Sequence, residues 1–285
     1  MTSADAPLFS VVIPTCHRND ALAACLERLA PGKQSLAAAS YEVIVTDDGS
    51  RATSEAMLRE KFPWAKWMAG PRRGPAANRN HGAKHANGNW IAFADDDCLP
   101  DATWLAAYGA ALEADAKTNV LEGRIYTDRP RRSLGEVSPT NDQGGFLWSC
   151  NFAIRRELFQ SLGGFDERFP YAAMEDVELA YRLRQRGEQF RFVTDAAVCH
   201  PARPAGGWQS LKRHGESTFI YLNLHPEEIA HLNTGFYLRM VARDFLRDTL
   251  PGFFRYRGAG LGSALLKHVA HTLMAAHLLF WSPTK

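Results

Sequence analysis

Short apolar runs and amphipathic stretches alternate along the first two hundred residues. Residues 9–13 are a β-branched run stopped by Pro14, and residues 20–29 carry helical spacing with Asn19 or Asp20 as the expected N-cap. A second strand is expected over 41–46, a helix over 54–62, a short strand over 66–68 and a helix over 75–86 after the glycine-bounded turn 70–74. Residues 90–94 read as a fourth strand and 100–114 as a helix, and this alternation predicts parallel βαβ units. Beyond it the pattern loosens. A strand is expected over 120–126, a polar loop over 128–145 and β character over 144–154. Helices follow over 157–162 and 175–186, then two short strands over 190–193 and 196–199.

Polar groups cluster where the apolar runs stop. Strand four ends in Asp95, Asp96 and Asp97, strand two in Asp47 and Asp48, and strand one in Thr15. Unpaired carboxylates are costly to bury, and three in succession call for a cation. An open α/β sheet binds ligands at the carboxyl ends of its strands, so the pattern predicts a metal–diphosphate site. Alone, the Asp47–Asp48 segment also reads as an ordinary turn capped by a carboxylate. Arg79, in a helix opened by small residues, reads either as a phosphate partner or as a surface side chain. Glu175 and Asp176 begin a helix, where acids favour the dipole or supply a general base. They point about 100° apart, and periodicity does not choose between them. His200 ends a strand and by itself reads as a packed histidine.

Composition narrows the class. The chain has 285 residues, 46% of them hydrophobic and 22% charged, with a net charge of +2, which suits a globular protein without a bulk nucleic-acid partner. Residues 203–285 are locally basic, with 10 Lys and Arg against 5 Asp and Glu and six of the ten histidines. Five dispersed cysteines, without a C-x-x-C pair, predict reduced thiols and a cytoplasmic setting. The N-terminus lacks the look of a signal peptide, and no apolar run is long enough for a spanning helix.

Taken in order, Pro14-Thr15, Asp47-Asp48-Gly49-Ser50, Arg79-Asn80-His81-Gly82, Asp95-Asp96-Asp97, Gly163-Gly164-Phe165-Asp166, Glu175-Asp176 and His200 resemble the motif series of family 2 glycosyltransferases, over roughly residues 8–202. The resemblance implies an α/β GT-A fold: a mixed, mainly parallel sheet flanked by helices, with a helical C-terminal extension. It places a catalytic domain over 1–204, with a donor half near 8–115 and an acceptor half near 116–204, and the extension over 205–285. It implies metal-dependent, inverting transfer of a sugar from a nucleotide donor (UDP-, dTDP- or GDP-linked) to a hydroxyl of a saccharide or lipid-linked saccharide, as in cell-surface polysaccharide synthesis. Thr15, Asp47, Asp48 and Arg79 would contact the donor nucleotide. Asp95 and Asp96 would contact ribose and sugar, and Trp148 and Asn151 would lie near sugar or acceptor. Asp97 would hold Mn²⁺ or Mg²⁺ with help from His200. Asp176 matches the base, with Glu175 beside it. His17, Pro75 and Asn78 depart from the common pattern without removing any of these groups.

Two other classes stay open. A non-catalytic nucleotide-sugar-binding scaffold fits the same fold. Nucleotidyl transfer also uses such metal sites, but no glycine-rich phosphate loop with a following lysine succeeds strand one. In the extension, Arg239, Arg243 and Arg247 recur every four residues, and Leu266, Val269, Leu273, Ala276 and Phe280 share a face of a final helix. These helices are expected either to lie on the cytoplasmic face of a membrane or to pack against the catalytic domain or a second subunit.

Overall fold

The computed structural model describes residues 6–282, which divide into two compact units: 6–128 with 139–201, and 129–138 with 202–282. In the first unit, strands β1 (Phe9–Thr15), β2 (Tyr41–Asp47), β3 (Lys66–Ala69) and β4 (Trp90–Ala94) alternate with helices α1 (Asn19–Leu29), α2 (Glu55–Lys61) and α3 (Pro75–Lys84). β1 lies parallel to β2 and to β4, and β2 lies parallel to β3. β1 and β4 are buried along their whole length, which is why their sequences run apolar instead of alternating.

The remaining strands make the sheet mixed. They are β5 (Leu99–Pro100), β6 (Val120–Tyr126), β8 (Asn151–Arg155) and β9 (Phe190–Cys199), with α4 (Trp104–Ala114), α5 (Arg156–Ser161) and α6 (Glu175–Gln185) between them. The eight strands run β3-β2-β1-β4-β8-β6-β9-β5, with β8 antiparallel to both β4 and β6. Apolar layers cover both faces. Leu22, Leu26, Trp104 and Tyr108 belong to one, and Phe93, Phe152, Phe159 and Phe165 to the other.

Several boundaries differ from the sequence reading. Helix α1 is capped at Arg18, whose donor-only side chain offers the helix no acceptor, and Asn19 inside the helix turns its amide to the Thr53 carbonyl. Leu99–Pro100 pairs with β9, so α4 starts only at Trp104. The two strands expected at 190–199 are one, with its register against β6 shifting between Gly123 and Arg124. The β character expected from residue 144 begins only at Asn151, since the preceding loop is organised by a buried carboxylate described below.

The second unit pairs β7 (Glu136–Val137) with β10 (Arg203–Pro204) and adds helices α7 (Trp208–Leu224), α8 (Thr234–Asp244), α9 (Leu250–Arg255) and α10 (Leu261–Leu278). A π-helical turn, Phe245–Thr249, joins α8 to α9. Arg131 is paired with Asp248, and Lys267 of α10 reaches Asp244 of α8 at 2.8 Å. Ala264, His268, Ala275 and Leu278 of α10 are buried, whereas Val269, Leu273 and Phe280 are exposed. Among the described residues, no helix is long and apolar enough to cross a membrane.

Candidate active site

The ends of β1, β2 and β4 lie side by side because the three strands are in parallel register, Thr15 being opposite Asp47. A cavity of about 500 Å³ opens over them, lined by Thr15, Arg18, Asp48, Arg72, Gly74, Asn78, Arg79 and Asp95 among others.

The two aspartates after β2 do different work. Asp47 is buried and turned into its own loop: Oδ1 accepts from the Gly49 amide at 2.8 Å, and Oδ2 from the Ser54 amide and hydroxyl at 2.6 and 2.7 Å. It does not line the cavity, and its local geometry is that of the capped turn. Asp48 does line it and accepts from the amides of Arg72 and Gly74 at 2.8 and 3.2 Å. Burial raises the Asp48 pKa, with those two amides opposing the shift. Gly74 has a φ of +95°, and a Cβ there would come within 2.4 Å of the Pro170 carbonyl oxygen.

The acidic triplet is held from both sides. Thr15 Oγ1 donates to Asp96 at 2.7 Å. Arg18 donates to Asp96 through Nε at 3.1 Å and to Asp97 through Nη1 at 2.8 Å. Asp96 is fully buried, and burial pushes its pKa up to about 7 against the pull of Arg18 and Thr15. Arg79, only 2% exposed, reaches Asp95 at 2.6 Å and Glu175 at 2.9 Å, with its guanidinium 5.7 Å from the centre of the Phe165 ring. Burial opposes the charge on Arg79, but Asp95 and Glu175 raise its pKa, and Arg79 in return holds Asp95 below its usual value despite burial.

Glu175 and Asp176 open α6 after Met174, whose left-handed backbone (φ +69°) sets the entry of the helix. Glu175 is buried, and its Oε1 accepts from Arg79 Nη1. Burial first, and then the neighbouring Asp176 charge, pushes its pKa up to about 7. Asp176 is half-buried and accepts from the amides of Ser149 at 3.3 Å and Val177 at 2.8 Å. Burial raises its pKa as well. His200 Nε2 stands 3.7 Å from Asp97 Oδ1, and the ligand atoms of Asp97, Cys98 and His200 all lie within 4.8 Å of one another. A carboxylate, an imidazole and a sulfur at that spacing form a donor set that fits a divalent ion.

Asn151 sits elsewhere. It is fully buried, its Oδ1 accepts from Trp104 Nε1 and Tyr108 OH at 2.7 Å each, and its Nδ2 donates to the carbonyls of Arg124 and Ala196 at 2.8 and 2.9 Å. Its amide is therefore spent on tying β8 to α4, β6 and β9, and none of it is left for a sugar. Trp148 is half-buried on Cys98, Ile125, Cys150 and Val198, its ring 5.4 Å from that of the exposed Phe146.

Two contributors carried no recognisable signal in the sequence reading. Arg18 follows β1 by three residues, and only the fold shows which acids it meets. Glu122 lies in an apolar strand and is fully buried. It accepts from Asn141 Nδ2 at 2.7 Å and from the amides of Gly145, Phe146 and Leu147 at 2.6, 3.0 and 2.9 Å. That carboxylate shapes the loop carrying Phe146 and Trp148.

A mixed, mainly parallel α/β sheet with a cavity over the carboxyl ends of its strands and carboxylates around it has the architecture of the GT-A fold. Residues 10–163 match the family model described as glycosyl transferase family 2, and the chain belongs to that family. It is 26% identical over 259 residues to the chondroitin synthase of Escherichia coli, covering 75% of this chain and 37% of that protein. It is 31% identical over 225 residues to a validoxylamine A glucosyltransferase of Streptomyces hygroscopicus subsp. limoneus, covering 64% and 49%. The chain thus spans between about a third and a half of the length of these two curated relatives. Among solved structures, the mannosyltransferase PcManGT of Pyrobaculum calidifontis, in complex with GDP-Man and Mn²⁺, superposes with a TM-score of 0.61 at 20% identity, over 97% of this chain and 86% of that one. At that identity the likeness establishes the fold.

Proposed function

We propose that the protein is a metal-dependent, inverting glycosyltransferase that moves a sugar from a nucleoside diphosphate to an acceptor hydroxyl. The observation that carries this reading is the buried chain Asp95–Arg79–Glu175, which ties the acidic triplet to the helix bearing Asp176 beside the strand-end cavity. Family membership and relatives named as glycosyltransferases and polysaccharide synthases support it.

In this reading Thr15, Asp48 and Arg79 contact the nucleotide, while Asp47 holds the turn that presents Asp48. Asp95 faces ribose and sugar, the fully buried Asp96 holds Thr15 and Arg18 in place where the sequence placed it against the ligand, and Phe146 joins Trp148 in offering an aromatic surface to sugar or acceptor. Asp97 and His200, with Cys98 at hand, would hold the ion, Mn²⁺ or Mg²⁺. When bound, the cation neutralises charge on the departing diphosphate. Asp176 takes the proton of the acceptor hydroxyl as its oxygen bonds to the anomeric carbon. The bond to the diphosphate breaks with its electron pair, and a single displacement inverts that carbon. The raised pKa of Asp176 brings the base nearer to neutral pH, where general bases work best. Glu175 keeps Arg79 in place. The acceptor in this reading is a saccharide or lipid-linked saccharide, and a relative named as a chondroitin synthase supports the saccharide part of it.

Calorimetric titration with UDP, dTDP, GDP and CDP, each with and without Mn²⁺, tests the donor site. Metal-dependent binding of one nucleotide is expected, and a folded sample that binds none of the four would return the chain to the scaffold class. Asp176→Asn is expected to lower transfer about 10²–10⁴-fold with nucleotide binding retained. Asp97→Asn is expected to lose the metal dependence of binding together with transfer.

A further inference from the structure

Charge and exposed apolar area are both partitioned between the two units. By sequence, residues 129–138 and 202–285 hold 13 Lys and Arg against 6 Asp and Glu, while the rest of the chain holds 20 against 25. Among the described residues, every exposed large apolar side chain except Phe146 belongs to the basic unit. Leu246, Phe254 and Phe280 are exposed to 62%, 71% and 90%. A soluble monomer rarely gathers so much apolar surface unless something covers it.

The arrangement along the helices is specific. Leu238, Leu246 and Leu250 are exposed along α8, the π turn and the start of α9. Arg239, Arg243 and Arg247 follow one another at four-residue intervals beside them, all exposed. Helix α10 packs against this run through Lys267–Asp244 and the His268–Phe245 ring contact, and adds Leu265, Val269 and Leu273. Trp208, at the start of α7, is 46% exposed. An apolar row flanked by arginines is the composition of a helix lying in a bilayer interface, where arginine stems cover apolar surface and their guanidinium groups reach headgroup phosphates.

We propose that this C-terminal unit is a docking surface for an anionic lipid bilayer, on which α8, α9 and α10 lie in the interface without crossing it. The charge selects this occupant. A second copy meeting the same face would bring two net-positive surfaces together, whereas each basic residue at an anionic leaflet favours binding by about fivefold.

Flotation of the full chain with vesicles of phosphatidylcholine alone and of phosphatidylcholine mixed with phosphatidylglycerol decides it. Association with the mixed vesicles only, weakened by salt, is expected. Arg239→Gln, Arg243→Gln and Arg247→Gln together are expected to weaken that association about a hundredfold. Leu246→Glu with Phe254→Glu should abolish it while leaving the circular dichroism and thermal transition unchanged, because both side chains are already in solvent. If that apolar variant lost its thermal transition, the arginine variant would decide alone. Failure of the folded full chain to float, or equal flotation with both vesicle types, would overturn the proposal. So would sedimentation showing a dimer that the apolar variant dissolves in the absence of any vesicle association.

Discussion

Arg18 places a guanidinium on Asp96 and Asp97, the carboxylates expected to face the sugar and the metal. A fixed cation there competes with a divalent ion for the same oxygens. Arg18→Gln is therefore expected to tighten Mn²⁺ binding in the absence of nucleotide, read by calorimetry or by the spin resonance of the bound ion. Unchanged or weaker affinity would leave Arg18 a purely structural partner. Glu175 gives a pH prediction. Its pKa is raised from 4.5 to about 7 in the folded chain, so the native state holds the proton more tightly than the unfolded state. Stability from this group is present below pH 4.5 and falls as pH rises toward 7. Glu175→Gln should flatten that part of the stability–pH curve, measured by urea unfolding at successive pH values. The absolute stability of the variant should drop, because Arg79 loses a buried partner. The sequence singled out residues that the fold brings together: Thr15, Asp48, Arg79 and Asp95 line the cavity, and Asp97 and His200 belong to the candidate metal cluster. It did not separate Asp47 from Asp48, because adjacent carboxylates in a turn differ only in which of them the chain turns inward.

Strands and helices fix those groups through a small number of buried polar ties. Asn80 on α3 exchanges two hydrogen bonds of 2.8 Å with the backbone of Phe165. Gly164 just before it has a φ of +76°, and a Cβ there would fall 2.4 Å from Asn80 Oδ1, whereas Gly163 is required only by its own φ of +78°. Arg182 clamps the same turn by donating to the carbonyls of Leu162 and Gly164 while pairing with the buried Glu178. Glu178, third of the acids opening α6, thus braces the fold and leaves the chemistry to its neighbours. Loop 141–147 depends on Glu122 in the same way. Glu122→Gln turns a donor toward amides that need an acceptor, at a cost of about 1–3 kcal/mol. Hydrogen exchange of the amides of residues 145–147 should accelerate while that of β1 and β4 stays slow, and unchanged protection would deny Glu122 this role. The alternation of apolar runs made β1, β2 and β4 legible. It could not reveal that 144–150 is a loop, since the same residues suit a strand until a buried carboxylate captures their amides.

For the molecule as a whole, the net charge of +2 conceals an acidic unit bearing the candidate active site and a basic unit bearing the exposed apolar helices. Averaged composition hides that separation, although the basic tail was visible once the chain was divided. The sequence by itself determined that β1 to β4 form parallel βαβ units, because buried strands need continuous apolar runs and the helices between them need a 3.6-residue period. It also determined that acids gather at the strand ends, because local order places them immediately after those runs. Tertiary structure alone decided the insertion of antiparallel β8 between β4 and β6, the pairing of 136–137 with 203–204, and the meeting of Arg79 with Glu175 across 96 positions of sequence. Long-range pairing depends on which surfaces remain to be buried after the local elements form, and no local pattern records that competition.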